Sequence, residues 1–87
     1  MEIIYSGHVQ GVGFRYTAKS VAAGYEIGGT VRNLSDGRVA LVAEGARGEL
    51  EQFRAAIREA GLKHFIRDEA ITWSQAQKCF KGFEIVH

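Results

Sequence analysis

An α+β sandwich, with two helices on one face of an antiparallel sheet, is the fold class this sequence predicts. Three observations carry the prediction. Two segments repeat apolar residues at helical spacing, and the segments around them are β-branched or alternate in polarity. The stretch Leu34-Ser35-Asp36-Gly37 is a turn signal between two such strands, too short for a helical crossover, so those strands form a hairpin.

The elements follow in order. Residues 2–9, EIIYSGHV, are rich in β-branched and aromatic side chains and read as a strand. From Phe14 the period changes. Phe14, Ala18, Val21, Ala22 and Tyr25 share one helix face, with Gly24 near its end. Residues 27–33, IGGTVRN, and 38–45, RVALVAEG, are the hairpin strands. A second helix is expected from about Arg47 to Ala60, with Leu50, Phe53, Ile57 and Ala60 inward and Gly61 as its stop. A partly polar strand is expected around Ile66–Trp73, and GFEIVH closes the chain as a short strand. The order β-α-β-β-α-β, with one extra short strand and right-handed crossovers, gives a ferredoxin-like sandwich. Its sheet is expected to hold four to five antiparallel strands, and residues 1–87 to form a single domain that begins directly at strand one.

Bulk properties narrow the function. A composition 46% hydrophobic and 24% charged is that of a globular protein. Eleven basic against ten acidic residues leave a formal charge of +1, too small a surplus to favour a nucleic-acid partner. Cys79 is the single cysteine, which excludes an internal disulfide framework and fits a reducing compartment. His8, His64 and His87 share no metal-ligand spacing with it. No apolar run approaches a membrane span. A cytoplasmic, metal-free monomer without membrane contact is the expectation.

The chemistry concentrates in residues 7–15, GHVQGVGFR, where strand gives way to helix. Its glycines would let successive backbone N–H groups converge on an anion, beside the positive end of the helix that follows. The loop lacks the Lys and hydroxyl of a nucleotide P-loop, and Tyr16 stands where a dinucleotide loop has its third glycine. A loop for one small phosphate group remains, with Arg15 as its charged donor. The planar fork of arginine bonds two phosphate oxygens at once.

GHVQGVGFR resembles the G-x-V-Q-G-V-G-F-R signature of the acylphosphatases at every position, and VRNLSDGRV resembles their second signature, G-x-V-x-N-x-x-D-G-x-V. The resemblance spans residues 3–60 in order and spacing. It departs at Thr30, where the family often has Trp, and in the absence of proline. It implies that the backbone from Val9 through Gln10, Gly11, Val12, Gly13 and Phe14 to Arg15 cradles the phosphate, that Arg15 binds it, and that Asn33 orients the attacking water. It implies hydrolysis of a small acyl phosphate to a carboxylate and inorganic phosphate, by a soluble monomer without metal or cofactor. Asp36 and Gly37 are read as turn formers, and His8 as a partly exposed strand-end residue.

Two other readings compete. An RNA-recognition motif shares the element order, but its aromatic signature belongs on the third strand, and RVALVAEG has no aromatic. The alternative retained is a non-hydrolytic module that binds acyl or carbamoyl phosphate and acts with a larger partner.

Overall fold

The apolar residues that alternate along the strands need a cover, and two amphipathic helices supply it. In the computed structural model, which describes residues 1–76 and 80–87, the elements are β1 (Glu2–Gly7), α1 (Phe14–Ala22), β2 (Ile27–Asn33), β3 (Val39–Gly45), α2 (Arg47–Ile57), β4 (Ile66–Thr72) and β5 (Phe83–Ile85). Cys79, and the compartment inferred from it, lie outside the described residues. No described helix is long and apolar enough to cross a membrane.

The strands form one sheet in the order β4-β1-β3-β2-β5. The pairs β1–β3, β1–β4 and β2–β3 are antiparallel, as expected. β5 instead lies parallel to β2, so the five-stranded sheet is mixed. The reason is topological: β4 and β5 occupy opposite edges, and the chain between them crosses to the free edge of β2.

One sheet face carries the core. Ile3 and Tyr5 of β1, Val31 of β2, Val39, Leu41 and Ala43 of β3, and Phe83 of β5 are buried there against Phe14, Ala18 and Ala22 of α1 and Leu50, Phe53 and Ile57 of α2. Phe53 sits between Tyr25 and Phe83, with ring centroids 6.1 and 5.5 Å away. Each such large side chain withdrawn from water contributes about 1.5–3 kcal/mol. The Tyr5 and Phe14 rings meet at a tilt with centroids 4.7 Å apart, which fixes the start of α1 against β1. Burial pushes the Tyr5 hydroxyl far above its ordinary pKa, so the ring enters the core uncharged.

α2 ends earlier than its apolar spacing predicts. The α-helical turns stop at Ile57, and a wider π-type turn covers Arg58–Leu62, with Gly61 in the left-handed region at φ 95°. Ala60 is therefore exposed, and Leu62 takes the buried place five residues after Ile57. β4 carries a carboxylate inward. The Glu69 side chain is only 5% exposed, and it pairs with Arg54 at 3.1 Å and with Arg58, both from the adjoining helical segment. Two guanidinium groups offset the desolvation of that buried charge.

Candidate active site

The loop between β1 and α1 is held at both ends by burial. Val9 is 1% exposed and Phe14 2% exposed, and Val12 packs partly against the core. Between these anchors Gly11 and Gly13 adopt φ values of 79° and 78°. A Cβ added at either position would meet nothing within 4 Å. The requirement for glycine there is thus the left-handed torsion, and the space above the loop is open to a ligand. Positive φ at alternate residues turns backbone N–H groups toward one side.

Gly13 is also the N-cap of α1. It offers no side-chain cap, the first turn holds no acidic residue, and the first helical bond runs from Thr17 N–H to Gly13 C=O at 2.9 Å. The N–H groups of the first turn, with the positive end of the helix dipole, are left for an anion. Successive helix residues are about 100° apart around the axis. With Phe14 turned into the core, Arg15 comes to the half-buried flank beside the loop.

Asn33 arrives from the other direction. It ends β2 opposite Val39, and two-residue alternation places it with Gly29 and Val31 on the helix-bearing face. A cavity of about 250 Å³ results, lined by Val9, Gly11, Gly13 and Phe14 together with Arg15, Tyr16 and Asn33. The two motifs, separate in sequence, meet there. Among the described residues no carboxylate lines the cavity, so Arg15 and the backbone N–H groups set its potential.

Gln10 and Val12 belong to the loop but not to the cavity wall. Gln10 turns its amide away from the opening, and its Nε2 donates to the carbonyls of Leu34 at 2.7 Å and Arg38 at 2.9 Å. These carbonyls belong to the β2–β3 turn, which closes through Leu34 N–H to Arg38 C=O at 2.8 Å and Gly37 N–H to Leu34 C=O at 3.2 Å. Asp36 completes the turn by accepting from Arg38 N–H at 3.2 Å and from Arg38 Nε at 2.7 Å. The backbone bond from Arg38, helped by the Arg38 side chain and partly opposed by desolvation, holds the Asp36 carboxyl below its usual pKa. Gln10 therefore ties the loop to the strand end that carries Asn33. We expect Gln10→Ala to weaken competitive inhibition by inorganic phosphate about tenfold, because two hydrogen bonds are lost. Gln10→Glu, which has no donor for either carbonyl, is expected to lose more in the same measurement.

The sequence motifs did not point to two contributors. Tyr16 is 71% exposed at the cavity mouth. His87, distant in sequence, lies with Nδ1 3.2 Å from Arg15 Nη1. The exposed His8 and His64 line a different and wider cleft, of about 620 Å³, with Arg38 and Arg67. Among the described residues, no three His, Cys, Asp or Glu side chains gather as a metal-ligand set.

Comparison with known proteins places the family along nearly the whole chain. The family model described as Acylphosphatase matches residues 1–85. An acylphosphatase of Bacillus subtilis strain 168 is 36% identical over 85 residues, covering 98% of this chain and 93% of the relative. The crystal structure of acylphosphatase from Bacillus subtilis superposes with a TM-score of 0.89 at 36% identity, covering 99% of this chain and 96% of that one. A crystal structure of HypF from T. kodakarensis matches with a TM-score of 0.84 at 25% identity. That match takes 99% of this chain but 11% of the HypF chain.

Proposed function

The chain belongs to the acylphosphatase family, and from that premise we propose that it hydrolyses small acyl phosphates to a carboxylate and inorganic phosphate, using the cavity between the glycine loop and Asn33. The observation that carries this reading is the meeting of Gly11, Gly13, Arg15 and Asn33 around one opening. Loop N–H groups and the Arg15 fork bind the phosphoryl oxygens. The Asn33 side chain holds the attacking water in line with the bond to the carboxylate. The water oxygen bonds to phosphorus, the phosphorus–carboxylate oxygen bond breaks, and the water's proton passes to a phosphate oxygen.

Few protein groups are needed. A carboxylate leaves readily without a general acid, so catalysis reduces to positioning the water and compensating charge on the phosphoryl oxygens. A phosphate monoester would expel an alkoxide, for which the described residues lining this cavity offer no carboxylic acid or imidazole. The site is thus suited to the acyl phosphate and not to the ester. The reading extends to a single-domain cytoplasmic monomer that acts without nucleic acid, metal or cofactor.

Hydrolysis of benzoyl phosphate under exhaustive chelation tests the proposal. We expect turnover to be undiminished by the chelator and unchanged on adding Mg²⁺ or Zn²⁺. Activity that chelation removes and metal restores would contradict it. The HypF match, in which this fold is a small part of a longer chain, keeps a second reading in view: a binding module acting with a larger partner. Tight phosphate binding with no turnover of benzoyl phosphate would favour that reading.

A further inference from the structure

Arg15 has a side-chain neighbour that the reaction above leaves unused. Its Nη1 lies 3.2 Å from Nδ1 of His87. A guanidinium has only donors and keeps its proton, so Nδ1 is the acceptor. The contact is a hydrogen bond when the ring hydrogen sits on Nε2 and leaves Nδ1 free to accept. The sheet brings the pair together across 72 residues. Parallel register sets Gly29 beside Phe83, Thr30 beside Glu84 and Val31 beside Ile85, and Val86 N–H donates to Val31 C=O at 3.0 Å. Continued by two residues, the same register sets His87 beside Asn33.

We propose that His87 is a positioning residue for Arg15: its imidazole Nδ1 holds one arm of the guanidinium, so the fork is oriented at the cavity before an acyl phosphate enters. The inference rests on the function proposed above. An untethered arginine would lose its rotamer freedom on binding phosphate, whereas a tethered one has lost part of it on folding. One N–H is used by His87, and the remaining donors of the fork stay available to the phosphate.

The surrounding elements supply Arg15, Tyr16 and Lys19 from α1, Arg32 from β2 and Glu84 from β5. Lys19 and Glu84 pair with each other at 3.6 Å. Arg32 lies on the opposite sheet face by alternation. Arg15 is thus the cation that meets the ring.

The test compares the parent with His87→Ala and His87→Asn in benzoyl phosphate hydrolysis and in competitive inhibition by inorganic phosphate. His87→Ala should raise KM and the phosphate inhibition constant about three- to tenfold, with kcat little changed. His87→Asn, whose Oδ1 can replace Nδ1 as acceptor, should restore both. Equal affinities of parent and His87→Ala would overturn the proposal, and so would a loss that Asn does not restore. If the parent lacks hydrolytic activity, the function above fails, and ¹⁵N spectra of the imidazole in free protein still decide the tether. A proton on Nε2 and an Nδ1 shift that moves in Arg15→Met support it, and an Nδ1 shift indifferent to that substitution refutes it.

Discussion

Arg15→Lys is expected to lower kcat/KM for benzoyl phosphate by about 100- to 1,000-fold, a loss comparable to removing one preorganised donor from an anion site. The positive charge survives in this variant, so the loss isolates the geometry of the fork. A guanidinium bonds two phosphoryl oxygens in one plane, while an ammonium offers a point charge on a flexible stem. Inorganic phosphate should also inhibit more weakly, because the product presents the same oxygens. Folding should be unaffected: Arg15 is half-buried on the flank of α1, and lysine and arginine have similar helix propensities. A variant that melts with the parent and hydrolyses at the parental rate would reduce Arg15 to a surface charge. Arg15→Ala, which removes charge and fork together, should lose at least as much.

The parts of this site legible in the sequence are those encoded locally. Left-handed torsion at Gly11 and Gly13 is a property of single residues, and the change from strand to helical spacing at Phe14 is a property of a few neighbours. The turn after Asn33 is equally local, since Asp36 and Arg38 close it between themselves. Both signatures could therefore be read directly. What joined them could not. Gln10 reads as one more loop residue until its amide is seen to span to Leu34 and Arg38. His87 reads as a chain-end residue until β5 is laid along β2.

The fold shows the same division. GFEIVH reads as a short strand, but a strand's own residues say nothing about which edge of the sheet it joins. A connection crossing from β4 to the β2 edge made it parallel. The end of α2 departed from expectation because a π-type turn shifts the phase of the apolar stripe, so that Leu62 follows Ile57 into the core. β4 looked partly polar because its inward residue Glu69 is a carboxylate. Only the two arginines of the neighbouring helical segment explain its burial. Long-range partners, and not local propensities, decide the edge that β5 joins and the burial of Glu69.

Asn33→Ala separates the water from the phosphate. A residue that positions the nucleophile contributes mainly in the transition state, so its loss should appear in kcat far more than in ground-state binding. Turnover of benzoyl phosphate is expected to fall by about 100- to 10,000-fold, the range lost when a reacting group is misplaced or an oriented donor removed. Inorganic phosphate should still compete at close to its parental affinity, because the loop glycines and Arg15 remain. Stability should hold as well. Asn33 is exposed at the end of β2, and the ladder bonds opposite Val39 belong to its backbone. Asn33→Asp sharpens the assignment. A carboxylate could still accept a hydrogen bond from water, but it has no amide N–H and it adds negative charge to a cavity whose walls now hold none. Its phosphate affinity should therefore fall where that of Asn33→Ala does not. Parental turnover in Asn33→Ala would make Asn33 a turn residue and leave the water to be held elsewhere. A proportional loss of turnover and phosphate affinity in that variant would instead move Asn33 from the water to the phosphate.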